Sequence, residues 1–343
     1  MNVCLVMGAY RPGKCGISDY VKLLGDELQR KGHSFQRISI GSQDCFLKLA
    51  KNIPDADLIS LQFAPYSFST KGLTRKALLE FAKAFSKRKT QVNFHEIWIG
   101  AYPRAPWKEK FHGWRQKRGI LKFLETIQPD LIHATNAAAL DRLKREGVDA
   151  EYLYLFGNIP YVPIPTADLK NNDKLHVAFF GTLYKSFPYP VLGKRLETIS
   201  KTSKRPLLLT VIGRHRESKG LGRLNNLASA RGFEVELTGE LEPKAISHHF
   251  QKSDIGVSTT PYDVLGKSGA TAAMLEHGLP VFAYDDGDTL PDRLFTFEKF
   301  RGQTFLLNDY KSPEKLLRFL EKPRRPFFDG VAHTTNKMLD SIY

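Results

Sequence analysis

At 343 residues the chain is long enough for two domains with full cores, and its 42% hydrophobic and 25% charged content is that of an ordinary soluble globular protein. No run approaches about 18 consecutive apolar residues, which excludes a membrane-spanning helix. Three cysteines (Cys4, Cys15, Cys45), without paired metal-ligand spacing, point to a reducing cytoplasm.

The formal charge of +15 is unevenly divided. Residues 1–158 carry 25 Lys/Arg against 15 Asp/Glu, a surplus of 10; the remainder carries 26 against 21, a surplus of 5. A basic first half suits an anionic partner or an acidic membrane surface, and equally a solubilising surface. Nucleic acid is a weaker reading, with an affinity that should collapse in salt.

MNVCLVMGAY lacks a basic n-region and reads as a first strand rather than a signal peptide. Strands are expected at 2–8, 34–40, 57–63, 90–95, 129–134 and 151–155, and helices at 17–31, 72–87, 114–127 and 136–146. Such alternation predicts a doubly wound parallel sheet. The loop after the first strand, Gly8 to Cys15, is one residue short of a P-loop. Cys15 stands where the Mg²⁺-binding Ser or Thr belongs, and the third strand ends in Gln62 and Phe63 rather than Asp, so an ATPase is disfavoured. A tight turn needing Gly16 is the plain alternative.

The fourth strand runs into Asn93-Phe94-His95-Glu96-Ile97-Trp98. Ligands of open α/β folds sit beyond strand carboxyl ends, which places His95 to orient a ligand and Glu96 as a candidate general base. Trp98, Trp107 and Trp114 are the only tryptophans, and Tyr102, Phe111, Lys108, Lys110, Arg115, Lys117 and Arg118 lie among them. Aromatics interleaved with cations suit a headgroup-level membrane contact, a lid over a glycan or base stacking. They suit equally a packed core with cations snorkelling outward. Thr135-Asn136, at the next strand's end, is a helix N-cap by chemistry.

Residues 159–173, with three prolines, read as a linker, and a second alternating set begins at 174. Its strands include 174–180, 207–212 and 234–239. The stretch 254–283 then reads as strand, loop, helix, strand: an apolar run from Asp254 to Ser258, breakers at Pro261 and Gly266, a small-residue helix from Gly269, a stop at Gly278 and a strand from Leu279. Free N–H groups at that helix start, beside Lys267 and Ser268, form a seat for phosphate. Lys185 and Arg214, at other strand ends, are further phosphate-binding cations. His248 and His249 have no metal partner, and no metal is expected.

Pro261-Tyr262, Gly266-Lys267-Ser268-Gly269 and His277-Gly278-Leu279-Pro280 together resemble the donor-binding segment of GT-B-fold glycosyltransferases, family 4 in particular. The resemblance covers essentially the whole chain. It implies two Rossmann-like domains facing a cleft: an acceptor domain over 1–158, a linker over 159–173 and a nucleotide-sugar domain over 174–325. The tail 326–343 would be a helix crossing back to the first domain. It implies transfer of a sugar from a nucleotide-diphosphate sugar to a hydroxyl of a glycan or lipid-linked saccharide, as in polysaccharide biosynthesis. Such a reaction would be retaining and metal-free, with no cofactor, in the cytoplasm or peripherally on the inner face of the membrane.

By the same resemblance, Lys267 and His95 are the catalytic candidates. Gly181, Thr182, Lys185, Arg214, Ser268 and Gly269 would hold the diphosphate; Gly239, Glu240, Leu241 and Tyr262 the base and ribose. Gly13, Lys14, Gly16, Asp19, Glu96 and Trp98 would line the sugar and acceptor side. The family's two glutamates fall here on Leu265 and Ala273, and Thr182 stands where an Arg is common. A non-catalytic protein binding nucleotide sugar or polyanion, and a sugar-nucleotide epimerase on the same fold, are the alternatives.

Overall fold

The computed structural model describes residues 1–13, 15–40, 53–68, 75–85, 88–101, 105–165, 173–214, 218–285 and 298–342. The chain divides into two compact units, Met1–Leu155 with Val331–Tyr343, and Phe156–Gly330.

In the first unit, β1 (Asn2–Met7), β2 (Ser34–Ser39), β3 (Leu58–Phe63), β4 (Thr90–Phe94), β5 (Leu131–Ala134) and β6 (Glu151–Tyr152) form one parallel sheet in the order β2-β1-β3-β4-β5-β6. Helices α1 (Gly16–Arg30), α2 (Pro65–Phe68), α3 (Arg75–Ala82), α4 (Trp107–Ile127) and α5 (Ala137–Arg145) connect the strands. β1 and β3 are buried almost end to end, as a strand covered on both faces must be. Phe63, Phe81, Phe85, Phe94 and Phe123 lie within one core cluster.

The second unit repeats the scheme. β7 (Leu175–Phe180), α6 (Tyr189–Ser203), β8 (Leu207–Ile212), α7 (Lys219–Arg231), β9 (Glu234–Gly239) and α8 (Pro243–Lys252) come first. β10 (Ile255–Pro261), a 3₁₀ turn over Tyr262–Lys267, α9 (Gly269–Glu276), β11 (Val281–Tyr284), β12 (Thr304–Leu306) and α10 (Ser312–Leu320) follow. The sheet order is β12-β11-β10-β7-β8-β9, all parallel. α11 (Gly330–Asp340) falls with the first unit, where Thr334 Oγ1 donates to Tyr154 O (2.9 Å) and Lys337 Nζ to Tyr152 O (2.6 Å).

Element positions follow the sequence pattern with informative exceptions. The helix expected over 114–127 begins at Trp107, straight after Pro106. Its first turns present Gly113 and Gln116, not large apolar side chains, to the unit, so hydrophobic period gave no warning of them. Gly113 lies against Ile99 O, and Gln116 Oε1 accepts from Ile99 N–H (3.0 Å). The strand expected over 151–155 spans two residues, and the helix expected over 72–87 is described over Arg75–Ala82. The described part of the proline-rich stretch lies on the second unit, with Val162 N–H on Ser247 Oγ (3.0 Å) and Ile164 N–H on Gln251 Oε1 (3.2 Å).

Candidate functional site

In an open α/β sheet, ligands bind at the carboxyl ends of the strands where the strand order reverses. In the second unit that point lies between β7 and β10, the first and fourth strands of the sheet in sequence. The loop leaving β7 starts at Gly181, whose φ of +88° is a left-handed value, and a Cβ built there would stand 2.7 Å from Ala270 Cβ. Only glycine meets both demands, and it brings the β7 loop against the first turn of α9.

Hydroxyls at the end of β10 hold this arrangement. Thr259 Oγ1–H donates to Thr182 O (2.5 Å) and accepts from Tyr184 N–H (3.2 Å), which clamps the β7 loop. Thr271 donates to Ser268 Oγ from both N–H (3.2 Å) and Oγ1–H (2.8 Å), making Ser268 the N-cap of α9. Ser258 Oγ lies 2.7 Å from Thr271 Oγ1, and because the Thr271 proton is committed to Ser268, Ser258 is the donor. The chain Ser258, Thr271, Ser268 thus delivers two hydrogen bonds to the Ser268 oxygen and leaves the Ser268 proton at its end. The N–H groups of Gly269 and Ala270 lie beside it, outside the helix's own ladder. Lys267 and Lys185 are exposed. Donors and cations of this kind suit an anion of the diphosphate class.

Thr259, Ser258 and Thr271 were missed in the sequence; the run Ser258-Thr259-Thr260 closing a buried strand is the signal that could have found them. The family's glutamate positions are closed to a carboxylate. Leu265 is 7% exposed and Ala273 0%, with the Gly157 backbone packed on the Ala273 main chain. Glu276 is buried too, its Oε1 accepting from Gly157 N–H (2.9 Å). His277 is a packing residue, with Nδ1 donating to Ala273 O (2.8 Å), Nε2 on Ser247 Oγ (2.9 Å) and burial lowering its pKa to about 4.

Other expected residues of this unit are placed differently. Arg214 points its guanidinium at Glu240, with Nε donating to Oε2 (3.0 Å) and a second close contact to Oε1, so the diphosphate candidate and the ribose candidate neutralise each other. Gly239 forms a bridge with Gly213, and Leu241 follows in the same half-exposed loop. Tyr262 lines a cavity of about 460 Å³ with Arg301, Thr304, Phe305 and Lys315, on the β12 side of the sheet.

In the first unit the strand order reverses between β1 and β3. Gly8 packs on Ser67 O, which also accepts from Ala9 N–H (3.1 Å), so the two loops meet there. The left-handed residue of the loop is Gly13 (φ +73°); Gly16, expected to carry the turn, is the first residue of α1. Gly13 N–H donates to Asp19 Oδ1 (2.6 Å) and Arg11 N–H to Ser18 Oγ (2.8 Å). A carboxylate therefore occupies the N–H that a phosphate would need, which disfavours a P-loop and assigns Asp19 to loop shape. Lys14 and Tyr102 lie outside the described residues.

His95 departs most from expectation. It is 2% exposed, its Nε2–H donates to Gln62 Oε1 (2.9 Å), and Tyr20 stacks edge-on at 4.8 Å. Burial pushes its pKa down to about 3. It belongs to a buried polar seam with Ser60, Gln62, Gln91, Asn93 and His133, joined by bonds of 2.5–3.0 Å. The side chain is neutral and enclosed rather than poised on a surface. Glu96 and Trp98 are half-buried, Trp98 packing against the core. Asn136 caps α5, its Oδ1 accepting from Ala139 N–H (2.9 Å). Among the described residues no three His, Cys, Asp or Glu side chains cluster as a metal site, and no helix is long and apolar enough to cross a membrane.

No protein-family model matches the sequence, and no curated protein matches it. Solved structures do match, over the whole chain. Anabaena HepE in complex with UDP and glucose superposes with a TM-score of 0.56 at 14% identity, covering 100% of this chain and 99% of its own. An alpha-glucosyltransferase (AGT) in complex with UDP gives 0.57 at 10% identity, covering 100% and 95%. A Listeria monocytogenes structure described as a UDP-N-acetylglucosamine 2-epimerase gives 0.58 at 13% identity, covering 99% and 95%. Identities this low speak to fold. With two six-stranded, doubly wound parallel sheets, the chain has the GT-B fold.

Proposed function

We propose that the protein is a glycosyltransferase that takes its sugar from a nucleoside-diphosphate donor held by the second unit. The observation that carries this reading is the junction of the Gly181 loop with the start of α9, where the Ser258–Thr271–Ser268 chain ends on a hydroxyl beside the N–H groups of the first helical turn. Departure of the diphosphate builds charge on its oxygens. The Ser268 hydroxyl, the Gly269 N–H and the Lys267 ammonium are fixed donors that stabilise it, the type of interaction that usually supplies the largest catalytic term. Lys185 adds a second positive charge. The acceptor is a hydroxyl of a glycan or lipid-linked saccharide met by the basic first unit, and the reaction proceeds without a metal. UDP is the first nucleotide to try, since HepE and AGT were solved with it.

The absence of carboxylates at Leu265 and Ala273 favours a second reading, a protein that binds the donor without turning it over. Thermal shift against UDP, GDP, ADP and their sugars separates the cases, followed by assay of the responsive donor. A melting-temperature rise with one nucleotide and release of its diphosphate support transfer. A rise without release supports the binding protein, release of an isomerised donor without acceptor supports an epimerase, and no rise with any nucleotide removes the site. Gly181→Val should weaken the responsive nucleotide about ten- to a hundredfold, since overpacking of this kind costs about 1–3 kcal/mol.

A further inference from the structure

The aromatic and basic segment noted in the sequence is resolved by helix α4 into a single exposed face. Trp107, Phe111 and Trp114 are 73%, 52% and 49% exposed. They are spaced four and three residues apart, which at about 100° per residue puts them in one stripe. The residues α4 buries, among them Gly113, Gln116, Gly119, Ile120 and Phe123, fall on the opposite side. The aromatic stripe therefore contributes nothing to the core of the unit, and the packed-core reading of these three side chains does not hold.

Cations frame the stripe. Lys108 and Lys110 are exposed beside its first turn, and Arg115 and Arg118 beside its third. Arg118 lies over the Trp114 ring at 4.7 Å and Lys108 over Trp107 at 5.8 Å, so charged heads and indole faces form one surface. Of the two acids of α4, Glu109 projects about 200° away from Trp107 around the helix, on the core side, and Glu125, on the stripe's azimuth about three turns beyond Trp114, is paired with Lys122 (2.9 Å). Bulky apolar groups ringed by positive charge are the chemistry of a helix lying in the headgroup layer of an anionic bilayer. Single-stranded nucleic acid would ask instead for a groove that tracks the phosphates, and a helix face is a convex ridge.

We propose that α4 docks the protein on anionic lipid membranes, with Trp107, Phe111 and Trp114 entering the headgroup–acyl boundary and the flanking Lys and Arg residues meeting lipid phosphates. This surface stands independently of the donor site, and its test uses no nucleotide sugar.

The experiment is flotation of the full chain with phosphatidylcholine vesicles containing about 30% phosphatidylglycerol, against pure phosphatidylcholine. Binding to the anionic vesicles alone is expected, weakening as salt rises. The triple variant W107A/F111A/W114A keeps every charge and should partition at least about tenfold less. Wild-type binding in that variant would show that net charge alone attracts the membrane, and would overturn the proposal. A measurement on the unaltered chain guards against misfolding of the variant: brominated anionic lipids should quench tryptophan emission. Absence of quenching, or aromatic-dependent capture of oligothymidylate or of a second copy of the chain without vesicle binding, would also overturn it.

Discussion

The two units share a topology class but handle polar side chains in opposite ways. In the first, polar residues run through the middle of the sheet: Ser60 and Gln62 on β3, Gln91 and Asn93 on β4, His133 on β5, all 0–1% exposed. They bond mainly to one another, and Asn93 Oδ1, His95 Nδ1 and His133 Nε2 are buried without a hydrogen-bond partner. In the second, β7 and β10 are apolar along Val177, Phe179, Ile255 and Val257, and hydroxyls begin only at Ser258. There the polar groups sit at the strand end and hold loops. A buried polar network fixes one packing arrangement and is costly to disturb; hydroxyls at a strand end shape a surface that can meet a ligand. The proposed function places ligand chemistry in the second unit, and the buried histidines place acid sensitivity in the first.

The sharpest way to challenge that assignment is through turnover. Lys267→Ala should lower donor turnover by about 10²–10³, the scale of losing one fixed donor at a developing charge, with the melting temperature unchanged. Undiminished diphosphate release would take Lys267 out of the reaction. His95→Ala should do the reverse. It removes a buried ring and its bond to Gln62, which should cost the first unit about 2–4 kcal/mol in urea unfolding while the nucleotide-induced thermal shift persists. An intact unfolding transition with lost turnover would restore His95 to catalysis.

Acid should separate the units by a smaller margin. His95 and His133 have folded pKa values of about 3 and about 4 against an ordinary 6.5, in both cases chiefly through burial. Between the ordinary value and the folded ones, the unfolded chain binds protons that the folded unit does not. The stability they contribute is complete above about pH 6.5 and falls as the pH drops toward 4, by about 1.4 kcal/mol per pH unit for each histidine. Among the described residues the second unit has one deeply buried counterpart, His277, at about 4; His176 and His249 shift the same way but keep contact with water. Circular dichroism with melts at pH 7 and pH 5 should show the first unit losing more, and equal losses would erase the contrast. The smallest effect belongs to Arg214→Ala. With its guanidinium already on Glu240, its removal should weaken nucleotide binding less than about tenfold, since exposed ion pairs contribute little. A loss matching that of Lys267→Ala would mean that the pair opens to the ligand.

What the residues by themselves determined was the frame: two sets of alternating strands and helices, a phosphate-suited helix start at Ser268-Gly269, and a cap at Asn136. These follow from local rules, because a buried parallel strand is written as a short apolar run and a helix end as a small set of capping residues. Tertiary structure decided the rest, since side-chain partners come from distant segments. His95 reads as a surface ligand after a strand, yet Gln62, 33 residues earlier, encloses it. Arg214 reads as a free cation until Glu240 is brought opposite it by the pairing of β8 and β9. Trp107, Phe111 and Trp114 read equally as core or surface, because the sequence places a helix only from residue 114 and so shows neither that the three share a face nor which way it turns. The packing of Gly113 turns it outward: only the absence of a side chain there lets α4 lie so close to Ile99, with Gly119 packed tightly on Leu78 and Arg75, and that contact leaves the aromatic stripe on the far side.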